Sequence, residues 1–560
     1  MMIINKRRKG KVTSFLLFCL FTFLPLQAQD SLLLRNYQFV KQADPWLTHR
    51  NAAALTRFAN KNIAEAEVSL TKGNGGLVNF NESDDLLQAD VRVESFYRIS
   101  PRTVAFGSIS YNNWSGDNMT GSAFIPTTAL RPFDIVEDSL TNAGRKHRDT
   151  YQLTGGVGVD ICQGLAFGAR VDYTAANYAK YKDLRHQNKL MDLTASASIY
   201  APVTSWLRLG AGYSYHRQTE SLTFGTYGKS EKVYKSLIDY GGMMGLVEQF
   251  GNSGFTDKSH EMPLFEDGHG GSFQLEWLPL PQFSAYATIG FCHATGYYGR
   301  VSPYTITPTN HDRDCLEAAA RLTYTPSCTS TSSCMSTSSC MSRFYLDLSY
   351  TKEKLQNSAE TYRELTNDAG AIYYEYYDPA ETADKQQQRF TVAATAHLGI
   401  QGELPTWTIT AAGQWWERQQ TAYLFPYYRY QQLRNHQFSL SGTRHIVCRK
   451  GVWSASLHAA WQEGSGDLFR DGTFVTPSDK QPLPATMEAF LHREYRYLTV
   501  PQYTFGGSVK YAFLLPSIAV KPHVSLSVNH RQAGSASTEQ ERFSMGDSHT
   551  QVTLAIGCGF

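Results

Sequence analysis

Past residue 26 the chain has no apolar run approaching the ~20 residues that a membrane-spanning helix needs. Charge is sparse as well. Asp, Glu, Lys and Arg are 18% of residues and the formal net charge is +2, which favours neither nucleic acid nor an acidic partner. Apolar residues at 3.6 spacing are almost missing after the N-terminal segment, which argues against a soluble multidomain enzyme. There is no phosphate-cradling glycine loop, no HExxH and no C-x₂-C pair, so no motif implies a nucleotide, a metal or any other cofactor.

What is abundant is aromatic and small. Aromatics reach 13%, with 33 Tyr and 30 Phe beside 43 Gly, while mean hydropathy is only −0.36. Strands that alternate lipid-facing and water-facing residues average out to such a value. The period-2 alternation is explicit. "GLAFGARVDYTA" (164–175) sets Leu165, Phe167 and Val171 against Arg170 and Asp172. "RFTVAATAHLGI" (389–400) sets Phe390, Val392 and Leu398 against His397, and "SIAVKPHVSLSVN" (517–529) sets Val524, Leu526 and Val528 against Lys521, His523 and Asn529. Charges on the inner parity would ruin a dry sandwich core, but they suit a wet barrel lumen. Arg170, Asp172, His397, Lys510, Lys521, His523 and Asn529 are therefore the lumen-lining candidates.

Segments of this kind recur near 63–70, 87–99, 103–113, 149–159, 164–176, 188–200, 205–219, 269–278 and 282–295. They continue near 314–325, 341–353, 386–400, 405–418, 433–445, 451–463, 500–513, 517–531 and 549–560. Short turns such as "SPR", "CQG" and "GEL" alternate with long polar stretches at 114–148, 220–268, 354–385 and 464–499. Short turns on one side and long loops on the other predict an all-β transmembrane antiparallel barrel with periplasmic turns and extracellular loops. Both termini then fall on the periplasmic side and the strand number is even: roughly 18, with 16 also fitting the spacing.

The ends agree. "NKRRKGK" before "SFLLFCLFTFLPL" and "LQA" has the layout of a secretory signal peptide over 1–28. At the other end "QVTLAIGCGF" alternates Val552, Leu554 and Ile556 on one face and stops on Phe560. That ending resembles the C-terminal signal by which outer-membrane barrels are recognised for assembly. It implies the barrel-assembly machinery as a partner and the cell outer membrane as the location. The stretch "DSLLLRNYQFVKQADPWLTHRNAAALTRF" with the Gly- and Tyr-rich hairpins after it resembles an uncharacterised outer-membrane barrel family of Bacteroidota, which implies outer-membrane lipid around it and work beside TonB-dependent uptake systems. Within it "RNAAAL" is similar to the Asn-Pro-Ala motif in the hatch of fatty-acid transporter-type barrels, with Ala52 in place of the proline. Residues 29–62 are thus either a luminal hatch or a periplasmic lead-in to a barrel over 63–560. As a hatch, Trp46, His49, Arg50 and Asn51 would hold it to the wall.

Other features have plainer readings. "CTSTSSCMSTSSCMS" (328–342) is a six-residue repeat on Cys328, Cys334 and Cys340, without metal-ligand spacing, in a turn insertion over 327–342. Cys162, Cys292, Cys315, Cys448 and Cys558 are scattered and define no disulfide framework. "AIYYEYYDPA" (371–380) and "AYLFPYYRYQQL" (422–433) hold Tyr373, Tyr374, Tyr376, Tyr377, Tyr427 and Tyr428, either a loop platform for a ligand or the outer aromatic girdle. Ser253 and Ser465 lack the surroundings of a nucleophile, and His311, Asp312 and Asp314 read as a solvated cluster, so no enzyme is expected. Passage of a small solute across the outer membrane is the expected function. The alternative is a non-conducting scaffold for a TonB-dependent receptor or surface lipoprotein; a barrel hydrolase comes third.

Overall fold

The computed structural model describes residues 35–137, 142–162, 164–227, 233–250, 262–299, 309–326, 341–515, 520–534 and 545–560. The expected signal peptide, Ser253 and the repeat residues 327–340 lie outside them. One antiparallel sheet of 18 strands dominates the molecule. Its strands are Asn62–Asn74, Asp85–Ser100, Thr103–Met119, Gly144–Cys162, Leu165–Lys180, Arg185–Pro202, Leu207–Gly225, Met262–Leu280 and Phe283–Tyr298. They continue as Thr309–Tyr324, Arg343–Ala359, Ala380–Gln401, Leu404–Leu424, Tyr427–Cys448, Gly451–Thr473, Gln502–Phe513, Lys521–Ala533 and Ser548–Gly559. The last strand pairs with both its predecessor and the first, so the sheet closes and has no free edge. Phe560 sits on that seam, its N–H donating to the Ala64 carbonyl at 2.9 Å.

Each of the 18 expected segments falls on one of these strands, in order. Alternation also sorts the side chains as expected. Val68, Phe167, Val171, Ile289, Leu440 and Leu457 are exposed on the outer face, as are Val552, Leu554, Ile556 and Phe560 of the final strand. Leu457 is 75% exposed, an apolar cost in water that a lipid surround removes. No helix among the described residues is long and apolar enough to cross a membrane.

Two expectations need correction. The strands are longer than the segments that announced them: Gly451–Thr473 has 23 residues where 451–463 was expected. The stretch 422–433 is no loop, since Leu404–Leu424 and Tyr427–Cys448 pair up to Leu424↔Tyr427 across a two-residue turn. The stretch 371–380 does lie in the connection between Arg343–Ala359 and Ala380–Gln401, where residues 372–376 form one arm of a small hairpin with Tyr362–Thr366. Strand ends such as "DKQQQR" (384–389) are polar on both faces, so alternation stops announcing them although the ladder continues.

Candidate functional site: a lumen closed from both ends

At the short-turn end the first described residues fold back into the barrel. Helix Tyr37–Ala43 starts at Asn36, whose side chain caps Phe39 N, and is followed by Pro45–Thr48, capped by Asp44. A 3₁₀ turn, Ala53–Arg57, leads into the first strand. Trp46 is fully buried, edge-on to Tyr200 and Tyr286 at 5.0 and 5.1 Å. Its indole N–H donates to Glu276 at 2.8 Å, and Arg208 holds the same carboxylate oxygen at 2.8 Å. Asn51 donates to the Ile199 carbonyl at 3.0 Å and to Gln274 at 2.9 Å, while Ala53 N–H donates to Ser198 at 3.0 Å. Lys41 binds Glu94, and Arg57 joins Asp44 at 2.9 Å.

The wall makes room for this segment with glycine. A Cβ on Gly168 would fall 2.1 Å from Ala53 N, one on Gly158 2.5 Å from the Ala52 oxygen, and one on Gly210 2.7 Å from Asn51 Nδ2. At Gly158 and Gly168 backbone lies on backbone, and at Gly210 side chains lie on it, which only a missing side chain permits.

Of the four hatch candidates, Trp46 and Asn51 bond to the wall and His49 stacks on Tyr286 at 4.9 Å. Arg50 is exposed and has no recorded bond to a described residue, contrary to expectation. Burial, with the charge of Arg321 next, pulls the His49 imidazole down to about 4. A folded value below the ordinary 6.5 means that neutral His49 stabilises the seat above pH 6.5 and that this contribution is lost as pH falls toward 4. Hydrogen exchange over 37–57, corrected for its intrinsic pH dependence, should therefore quicken between pH 7 and 4.5, and H49F should flatten the profile. Unchanged protection in the wild type would refute the coupling.

At the long-loop end the connections fold inward. Asp134–Glu137, Tyr234–Gly241, Met244–Phe250 and Ala485–Thr486 form a four-stranded sheet. Its tight turn has Gly242 and Met243 both at positive φ, +60° and +57°, the geometry that two-residue hairpins require. Phe124, Phe133, Ile135, Ile238 and Phe250 pack it against Leu222, Phe224 and Tyr298 of the wall. Helix Glu488–Thr499 buries Phe490 and Leu491 beside it and fixes Glu494 on Arg418 at 2.9 Å. Buried ionic contacts tie the insert down: Arg131 to Glu220 at 2.9 Å, and Lys180 and Lys146 to Glu137. Within the sheet, burial pushes the Asp239 carboxyl up to about 6.

Between the inserts the inward side chains are small and polar, among them Ser110, Gln152, Thr154, Ser349, Thr351, Ser439 and Ser441. Arg170 and Asp172 face this space as a bidentate pair, both bonds 2.8 Å, and Asn529 is exposed to it. Lys510 reaches Glu65 at 3.4 Å. Lys521 lies at the short-turn end under the charges of Arg35 and Glu403. His397 and His523 point inward but are both 3% exposed. His397 lies beneath Phe39 and bonded to Thr408, and His523 is bonded to Glu67, so neither lines open lumen.

The tyrosines separate. Tyr373, Tyr376 and Tyr377 are exposed on the small hairpin, with Tyr374 edge-on to Tyr362. Tyr427 donates to the Gln481 carbonyl and Tyr428 packs on Phe474. The acidic cluster separates too: His311 turns inward toward Glu266 at 3.4 Å, whereas Asp314 turns outward onto His293. Register brings together one pair that spacing concealed, Cys292 directly opposite Cys315, both free.

A family model matches residues 52–560. The chain belongs to the family of unknown function DUF6850. No curated protein matches its sequence. Similar solved structures include the outer membrane transporter YddB from Escherichia coli, at 8% identity and TM-score 0.39, covering 89% of this chain and 80% of that one. The ferric yersiniabactin uptake receptor FyuA from Yersinia pestis has 8% identity, the same coverages and TM-score 0.37. A FadL homologue from Pseudomonas aeruginosa has 12% identity and TM-score 0.28, covering 94% and 95%. At such scores the closed ladder itself, rather than any neighbour, is the ground for the fold.

Proposed function

We propose that this barrel lies in the bacterial outer membrane and passes a small solute through a lumen that its own N-terminal segment closes. One observation carries the reading: the middle of the lumen is polar and exposed to water, while segments of the same chain are docked into both mouths. A barrel serving only as an anchor has no need of a hollow polar interior. The N-terminal segment is the natural gate, because it is held by side-chain packing, hydrogen bonds and an ion pair rather than by a sheet ladder, and its release needs no break in the wall. The test is planar-bilayer recording of the mature protein beside a version lacking residues 35–58, both carrying Glu137→Ala so that the loop sheet is released from the other mouth. Silence that turns to stepwise conductance on deletion supports the gate; conductance in both removes it.

A second reading is a scaffold for a TonB-dependent receptor or surface lipoprotein. The exposed tyrosine hairpin at 362–376 favours it, since exposed Tyr is typical of docking surfaces. Silence from both proteins, with the barrel folded, would turn the choice toward it.

A further inference from the structure

One luminal row is not spent on holding either insert. Glu317, Thr351, Arg389 and Trp416 stand directly opposite one another on four consecutive strands. The inward parity of these strands, set by outward Leu322, Phe344, Phe390 and Trp415, turns all four into the lumen. Neighbouring strands are about 4.8 Å apart, so the Glu317 and Arg389 backbones are roughly 10 Å apart with the Thr351 hydroxyl between them.

Nearby charged groups already have partners. Arg313 binds Glu266, Arg418 binds Glu494, and Glu353 accepts from Leu130 N–H and from Gln387. Glu317 and Arg389, in contrast, have no recorded hydrogen bond or ion pair with a described residue, and Arg389 Nε is shut off from water with no acceptor. A buried donor left without an acceptor is costly, and a ligand oxygen would relieve it. The loop above supplies a roof, held by the Gln387 bond to the Thr128 carbonyl at 2.8 Å. Under it is a cavity of about 180 Å³ whose lining includes Thr128, Glu317, Thr351, Arg389 and Trp416, together with Glu353, whose carboxylate is already hydrogen-bonded by Leu130 and Gln387. Pockets for drug-sized ligands run about 300–1,000 Å³, so the occupant is small.

We propose that this row binds a small zwitterion, a free amino acid or short peptide. Its ammonium group pairs with Glu317, its carboxylate takes the Arg389 fork, and its aliphatic part lies on Trp416. A simple anion would face Glu317 unpaired and a simple cation would face Arg389, while a neutral solute leaves both charges unmatched. The inference rests on the passage reading and names the class of solute.

The test is isothermal titration of the intact, detergent-solubilised protein with L-leucine and with the Leu-Leu dipeptide, against N-acetyl-leucine and leucinamide. Both zwitterions are compared so that the tighter one identifies the source. Each singly charged derivative should bind at least about tenfold more weakly than leucine, the loss expected for one charge-assisted contact. E317Q should erase the distinction between leucine and N-acetyl-leucine; R389Q should erase that between leucine and leucinamide. Absence of binding by both zwitterions, or equal binding of the derivatives, overturns the proposal without any variant having to fold. If residues 35–58 gate conductance yet no zwitterion binds, this inference fails and the passage reading stands.

Discussion

Gly168→Val will open the short-turn mouth while leaving the wall intact. Gly168 lies within the strand Leu165–Lys180, near its short-turn end, opposite Gly158 on one side and Ser198 on the other. Its backbone needs no left-handed conformation, and valine suits a strand better than glycine does. The ladder therefore loses nothing. The added Cβ, however, falls 2.1 Å from Ala53 N and 2.3 Å from Ala52 C, backbone atoms that cannot swing aside. Strand and segment cannot both stay, and the strand is held by two ladders. Overpacking of this kind costs about 1–3 kcal/mol, which lowers occupancy of the seat by roughly five- to 150-fold. Residues 37–57 should exchange amide hydrogens faster, and in planar bilayers Gly168→Val combined with Glu137→Ala, which frees the other mouth, should show openings that Glu137→Ala alone lacks. Gly107→Val is the control, because nothing lies within 4 Å of its Cβ. A double variant as silent as Glu137→Ala alone, with residues 37–57 as protected as in wild type, would mean that the segment does not close the lumen.

The barrel was legible because its strands meet water on one face and an apolar surround on the other throughout their middle thirds. Phe167 and Val171 against Arg170 and Asp172 state that arrangement directly. Where both faces meet the same medium the signal fails. Lys385 to Gln388 stands beyond the apolar belt, and the inner-sheet strands Asp134–Glu137 and Tyr234–Gly241 are buried on both faces. "DIVE" and "YKSLIDYG" therefore carry no alternation that sets them apart from the long loops around them. Helix Glu488–Thr499 interrupts the long polar stretch 464–499, where Phe490, Leu491, Glu494 and Leu498 keep helical spacing.

Trp46 and Asn51 could be singled out early, since a large ring and an amide before a barrel need partners. Their seat could not: Gly158, Gly168 and Gly210 resemble the other strand glycines until something is seen lying on them. The row from Glu317 to Trp416 is hidden for another reason. Its members are spread over four strands, and only the register of three successive ladders aligns them.

Glu137→Ala should release the inner sheet from the long-loop mouth. Lys146 and Lys180 are opposite each other on adjacent strands, and both side chains are shut off from water. Like charges so placed repel, and burial raises the cost. Glu137, reaching down from the inner sheet, binds Lys180 directly and lies 3.8 Å from Lys146, which also donates to the Ser122 and Thr120 carbonyls at 2.7 and 3.1 Å. Removing the carboxylate leaves Lys146 with carbonyls alone and takes away the one acceptor recorded for Lys180, a loss of about 3–5 kcal/mol for a broken buried pair. Water must enter to solvate them, and the cheapest route is to lift residues 119–137 and the sheet they join. Amide exchange over 119–137 and 234–250 should rise by about a hundredfold or more, while the barrel strands keep their protection. Glu137→Gln should fall between, because it keeps an acceptor and loses only the charge. The combined replacement E137L, K146M and K180M should restore protection, since an apolar cluster of similar volume needs no partner ion. If exchange in Glu137→Ala matches wild type, the loop sheet is held by its hydrophobic contacts alone and the two lysines are neutralised some other way.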